Sequence, residues 1–292
     1  MTDQSSPAAK FFTAQRKHKM GVGLLTITSL ITVAPIIALG IYILVLGWPA
    51  ISWTFLTQMP SDGMRSGGIL PAILGTIYLT IGTALFSVPP GLAAAIYLAE
   101  YASDSRWTRL IRIAMINLAG IPSVVYGLFG LGLFVLFLGF GSSILAASLT
   151  LSIMTLPVII STAEEAMRTV PQNFRVVSIS LGATRWQTIW RIILPQSLPG
   201  VLTGVILGLE RAAGETAPIL FTGAAFFLPR LPRSPMDPTM ALPYHLFVIT
   251  TQVPGMPIKI QYGTVLVLLA FVLGMNVVAT IIRSRARARR QW

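Results

Sequence analysis

Six long apolar runs constrain this chain more than any other feature. They lie near 20–47, 69–98, 110–138, 144–163, 199–228 and 262–282, and each is at least about 18 residues long. A hydrocarbon layer about 30 Å thick is crossed by roughly 20 helical residues. Inside lipid a backbone N–H or C=O finds no water, and only a helix or a closed barrel satisfies every one. The expected fold class is an all-α integral membrane protein with about six transmembrane helices. Composition agrees, because 54% of residues are hydrophobic and 10% charged, where a soluble domain carries roughly 25% charged. The absence of cysteine excludes disulfide and thiol chemistry and says nothing of compartment. The first run is too long for a cleaved signal peptide, and no small-residue cleavage site follows it, so it reads as a retained span.

Charge fixes the orientation. One set of connections holds Lys10, Arg16, Lys17, Lys19, Arg106, Arg109, Arg112, Arg168, Arg175, Arg185, Arg191 and the five arginines of 283–290. The other set holds only Arg65, Arg230, Arg233 and Lys259. The positive-inside rule puts both termini and the loop 164–198 in the cytosol. The organisation read is a polar tail 1–19, one membrane domain 20–282 and a basic tail 283–292. The net charge of +12 is dispersed among short segments, which argues against nucleic acid. The basic tail reads as an anchor at anionic membrane lipid.

Proline and glycine interrupt the spans at Pro89, Pro90, Gly91, Pro122, Pro157 and Pro218. Such kinks suit a moving or cavity-lining bundle, and equally an irregularly packed one. The external loop 229–260 is proline-rich, and its MALPYHLFVI stretch reads as a short helix lying against the bundle. His245 stands there without a second metal ligand, so no metal site is expected.

Three charges interrupt the fifth run: Glu210, Arg211 and Glu215. Each charge at a bilayer centre costs about 2.5–3.5 kcal/mol on insertion scales. On a continuous helix Gly200, Gly204 and Gly208 fall at roughly 0°, 40° and 80°, with Arg211 and Glu215 at roughly 20° and 60°. Pro218 and Thr222 fall on the same arc, and Glu210 points about 120° from its centre. A glycine stripe admits a neighbouring helix, so the charges that extend it face the bundle or a water path. A guanidinium grips two oxygens of an oxyanion at once. The pair reads either as part of an anion route or as an internal pair fixing helix register. An ionised Glu215 would accept a hydrogen bond from an oxyanion that still carries a proton and repel one that does not.

The loop 164–198 contains two short helices. Pro171 suits a first helical position, and Gly182 ends that helix. Thr184 with Gln187 three residues on forms a capping box for the second helix, whose apolar side carries Trp186, Ile189, Trp190 and Ile193. Pro195 is expected to end it, with Pro199 and Gly200 leading into the fifth span. The result is a helical hairpin that projects into the cytosol or rests on lipid headgroups.

The spacing of Gly182 and Ile192-x-Leu194-Pro195 resembles the "EAA" loop of ABC-importer permeases. The wider run, from EEAMRTVPQNFR through LGATRWQTIWRIILP to GETAPILFTG, is similar to the permeases of phosphate-specific importers, PstA-type. The resemblance covers nearly the whole chain and is densest over 164–223. It implies a type I importer permease (MetI-like) architecture with a cytoplasmic coupling hairpin. The hairpin would seat in an ATPase through Gly182, Ala183, Thr184, Arg185, Trp186, Gln187, Leu194 and Pro195. Arg211, Glu215 and Glu210 would belong to the substrate pathway. Implied partners are a second permease of PstC type, an ATPase dimer of PstB type and an extracytoplasmic phosphate-binding protein of PstS type. The chain departs from the pattern where the family has Glu-Ala-Ala, carrying Val176, Val177 and Ser178. No role of that carboxylate carries over.

The chain has no GxxxxGK[ST] loop and cannot bind ATP in that way; the resemblance implies that ATP–Mg is used by the partner ATPase, and no cofactor is expected on this chain. It also shows no paired histidines, HExxH, Ser–Lys or paired-Asp arrangement within the spans, which leaves no catalytic residue for an intramembrane enzyme. A non-transporting scaffold, and permeases for sulfate, molybdate or phosphonate, are the alternatives.

Overall fold

The computed structural model describes the backbone of residues 7–288 and the side chains of 18–285. The chain begins with α1 (Pro7–Gly47), so the polar stretch before residue 20 is already helical from Pro7. The apolar part of α1 is exposed almost all round, as expected of a surface meant for lipid or another apolar partner. A short α2 (Trp53–Thr57) follows, capped by Ser52, whose hydroxyl accepts the N–H of Phe55 at 3.2 Å. Two tiny strands, β1 (Pro60–Ser61) and β2 (Ser66–Gly67), pair antiparallel with Pro60 opposite Gly67.

The helical body starts at α3 (Leu70–Ile96), which closes in a π-turn over Tyr97–Tyr101. After a Ser105 cap comes α4 (Arg106–Ala119) and then α5 (Ser123–Gly130), extended by a π-turn over Leu131–Phe137. The run 110–138 is therefore not one straight span, because α4 and the following segment meet at 100°. Gly120 and Pro122 occupy the break, where Pro122 supplies no N–H. Next come α6 (Ile144–Arg168), α7 (Gln172–Ser180), α8 (Arg185–Thr188) and α9 (Leu194–Gly214). The chain ends with α10 (Ala217–Thr222), α11 (Leu242–Thr251) and α12 (Ile258–Ala288). Among the described residues five helices are long and apolar enough to cross a membrane, or six with the bent pair.

Helix α6 is central, with α3 on one side and α9 on the other. Small residues allow the approach. A Cβ on Gly82 would strike Ser148, one on Gly91 would strike Ile159, and one on Gly204 would strike Thr162. Buried hydroxyls return their protons to the preceding turn, as Thr76 does to Ala72 at 2.8 Å and Ser87 to Thr83 at 2.7 Å. One apolar cluster joins α3, α6, α10 and α11 through Leu79, Leu151, Met154, Ile219, Leu242 and Val248. The short helix expected in the 229–260 loop is thus present as α11, packed against the bundle with Leu242, Val248 and Ile249 fully buried. A second cluster gathers Ile96, Leu98, Met167, Ile189 and Ile193 at the hairpin end.

The two ends of α6 meet different loops. Its first N–H groups, from Ile144 and Leu145, donate to the carbonyls of Asp237 and Pro235 in the 229–241 loop. Its last turn carries Arg168, beside Arg112. Twenty-five helical residues set these ends about 37 Å apart.

Candidate functional site

The fifth apolar run is a broken helix. α9 stops at Gly214, the backbone turns extended at Glu215 (φ −75°, ψ 136°), and α10 resumes at Ala217. The wheel drawn through residues 200–222 therefore holds only as far as Gly214. Within that range it is right about the glycines. Gly200, Gly204 and Gly208 lie against Ala166, Thr162 and Ile159 of α6, so close that an added Cβ would press on each. Beyond the break, Pro218 and Thr222 are buried because α10 packs on α5 and α6, not because the arc continues. Gly127 and Gly130 of α5 face Phe221, Pro218 and Thr222 at close range.

Arg211 sits in the last turn of α9, and its Nε donates to Glu215 Oε1 at 3.4 Å. Their side chains are 36% and 18% exposed, so the pair is open to the exterior of the single chain. Broken helices at membrane depth are tolerated where they line a cavity, and they free backbone groups together with charges. Tyr126 of α5, itself buried, lies within the field of Arg211 and donates its hydroxyl to the Leu118 carbonyl at 2.8 Å. Glu210 goes elsewhere. Its carboxyl lies beside Asn276 of α12, and its Oε1 is buried with no hydrogen-bond partner. Of the three charges, the structure joins Arg211 and Glu215 and sends Glu210 to the α9–α12 face.

The hairpin forms as local chemistry dictates. Pro171 is the N-cap of α7 and not its first helical residue, one position earlier than the sequence reading. Gly182 ends the turn at φ +84°, a conformation strained for any residue with a Cβ. The N–H groups of Gly182 and Ala183 return to Ile179 and Ser178 carbonyls at 2.9 and 3.2 Å. The capping box is complete: Gln187 N–H donates to Thr184 Oγ1 at 3.2 Å, and Thr184 N–H to Gln187 Oε1 at 2.9 Å. A 2.8 Å hydrogen bond between the Ser178 and Thr188 hydroxyls holds α7 to α8.

Pro195 does not end the second helix. A π-turn over Ile189–Ile193 carries α8 into α9, giving one helical path from Arg185 to Gly214. Proline lacks an N–H and its ring crowds the carbonyl four residues back, and the wider i→i+5 turn accommodates both. The expected apolar side also divides. Ile189 and Ile193 are buried, while Trp186 and Trp190 are 58% and 46% exposed and meet edge to face at 5.4 Å. Gly182, Thr184, Arg185, Trp186 and Gln187 are exposed at the tip and Ala183 is half-buried. Leu194 is buried and Pro195 half-buried, so those two support the hairpin from within. A groove of about 450 Å³ between the helices is lined by Phe174, Val177, Leu181, Ala183 and Ile192.

Two acidic residues escaped the sequence reading, Glu100 and Glu164. Both engage arginines at the hairpin end. The available signal was their position, since each stands at the end of an apolar run and Glu164 lies four residues before Arg168. Among the described residues no group of three His, Cys, Asp or Glu gathers in metal-binding fashion.

A bundle of five or six membrane-length helices, a broken charged helix and a capped hairpin at one end define a multi-pass membrane permease. Residues 91–290 match the family of binding-protein-dependent transport system inner membrane components, and the chain belongs to that family. A probable ABC transporter permease, YqgI of Bacillus subtilis, is 32% identical over 246 residues, covering 80% of this chain and 83% of its own. The phosphate transport system permease PstA 1 of Mycobacterium tuberculosis is 31% identical over 266 residues, 89% of this chain and 85% of its own. Among solved structures, the methionine ABC transporter MetNI in an inward-facing conformation superposes with a TM-score of 0.63 at 17% identity, over 75% of this chain and 95% of that one. A bacterial ABC transporter that imports alginate gives 0.61 at 15% identity, over 94% and 99%. These two establish the importer-permease fold. The family works with a separate ATPase and a substrate-binding protein.

Proposed function

We propose that this chain is the PstA-type permease of an ATP-driven phosphate importer. It supplies half of the membrane route, and a second permease of PstC type supplies the other half. The observation that carries the reading is the Arg211–Glu215 pair at the break of α9, with side chains 36% and 18% exposed within a long apolar run. Several PstA-named relatives at about 30% identity support phosphate as the substrate. Arg211 presents a planar fork to two phosphate oxygens. Glu215, held at 3.4 Å from that fork, accepts a hydrogen bond from the O–H that hydrogen phosphate still carries.

Both termini and the hairpin face the cytosol of a bacterial cell, on the strength of the arginine asymmetry. There the exposed residues from Gly182 to Gln187 seat in a PstB-type ATPase, and a PstS-type protein delivers phosphate from outside. The chain binds no cofactor of its own, and ATP–Mg acts in the partner. Uptake of labelled phosphate by cells relying on this transporter tests the reading. Arg211→Gln is expected to abolish uptake at normal membrane abundance, and unimpaired uptake refutes the pathway assignment.

A further inference from the structure

Two ionic nodes, each built on a buried carboxylate, meet on one short segment, 97–101, the π-turn that closes α3. In the first, the side chains of Arg175 and Glu100 are only 13% and 10% exposed. Arg175 Nε bridges both carboxylate oxygens, at 3.2 and 3.1 Å, and its Nη2 reaches Oε1 at 2.6 Å. The same guanidinium donates to the carbonyl of Met167 at 2.9 Å and of Val170 at 2.6 Å. Met167 is in the last turn of α6, where carbonyls have no partner within the helix. One side chain of α7 therefore ties together the hairpin, the end of α6 and the end of α3.

The second node centres on Glu164, 9% exposed. Its Oε1 accepts from Arg112 Nε and Arg168 Nε, both at 2.9 Å. The Nη2 groups of both arginines turn to the Leu98 carbonyl, at 3.4 and 3.2 Å. This fixes α4 and α6 to the segment that also carries Glu100. Apolar contacts cross the same junction, through Ile189, Ile193, Ile96 and Leu98. Apolar faces slide, whereas a guanidinium fork engaged on four acceptors gives up several directed bonds together if it shifts. Val176, where the family pattern has its glutamate, is 57% exposed and offers no ionic link.

We propose that Arg175 and Glu100 are positioning residues for energy coupling. Their ion pair is the strut that carries hairpin displacement into the end of α3, and Glu164 recruits α4 and α6 to the same motion. This rests on reading the hairpin as the seat of an ATPase.

The reconstituted transporter with its ATPase, second permease and binding protein is the system to test. Because the chain has no cysteine, Ser103→Cys and Ser180→Cys place two unique spin labels on this subunit, one in the α3–α4 turn and one at the end of α7. The strut requires the distance between them to stay constant between nucleotide-free and ATP-bound complexes. A distance that changes with nucleotide overturns the proposal, with no dependence on how a charge variant folds. In assembled complexes, Glu100→Gln and Arg175→Gln should each lower phosphate imported per ATP hydrolysed by roughly five-fold. The double variant should do no worse than the poorer single. Unchanged stoichiometry in the singles, or additive losses in the double, overturn the proposal. If the unaltered complex imports no phosphate with ATP, the functional reading itself fails, and that control is read first.

Discussion

At the scale of single residues, the proposed function gives Glu215 the selectivity. An ionised carboxylate accepts hydrogen bonds only, so in that role it would favour an oxyanion bearing a proton over one without. Glu215→Gln adds a donor, and the discrimination between phosphate and sulfate should narrow by about ten-fold, the effect of one charge-assisted hydrogen bond of about 1.5 kcal/mol. Competition of sulfate against labelled phosphate measures this, and unchanged discrimination removes Glu215 from selectivity. His245 makes a different prediction. It sits on α11, in the connection between α10 and α12, and burial pulls its pKa from 6.5 down to about 4. Between those values the unfolded chain takes up a proton that the folded chain refuses. Stability therefore rises with pH through that window and is lost as pH falls from 6.5 towards 4, by about 3 kcal/mol at most. His245→Leu should flatten the fall in thermal stability of the detergent-solubilised protein from pH 6.5 to 4.5. A variant that keeps the wild-type slope shows the proton going elsewhere.

At the scale of elements, the hairpin shows which structure can be read directly from sequence. The Gly182 turn and the Thr184–Gln187 box involve residues at most a few positions apart, and both are formed by their own side chains and backbone. Gly182→Val is a clean test, because nothing lies within 4 Å of an added Cβ and the whole cost is the φ of +84°. That strain is about 1–2 kcal/mol, and relieving it swings α8 away from α7. The expected outcome is loss of ATPase association, seen by co-purification, with the melting of the spans unchanged; an intact complex contradicts it. Elements shaped by their neighbours were less legible. Pro195 reads as a stop only if the preceding turn is α-helical, and the π-turn at 189–193 removes that condition. Arg211 and Glu215 fall on one arc of a continuous helix. They do touch, but across a helix end that α5 and α6 stabilise by holding α10. Glu100 was hidden for the same reason, since its partner Arg175 lies 75 residues away, and so was the link of Glu164 to Arg112, 52 residues away.

At the scale of the whole molecule, span number was legible, since it depends on bulk transfer energies and not on register. The charge asymmetry predicts which end faces the cytosol. The asymmetry has a direct check. Met236 is 49% exposed in the loop above the start of α6, and Ser180 is exposed at the hairpin end. In intact cells a membrane-impermeant maleimide should label Met236→Cys and not Ser180→Cys. The reverse pattern would invert the orientation. The long apolar faces of α1 and α12, which meet each other along one side only, leave a broad surface outside the bundle.

The π-turn between α8 and α9 reaches further than its five residues. Such a turn is an α-helix with one residue inserted, and each residue advances the helix by about 100°. The heading of Arg211 relative to Trp186 is therefore set by a count of residues and not by any contact. Substitutions along this path repack one neighbour at a time. Losing or gaining a single codon there would turn the charged end of α9 to a new heading while leaving every other side chain in the sequence the same. Length variation at 189–193 would thus redirect the charged end of α9 without touching its residues.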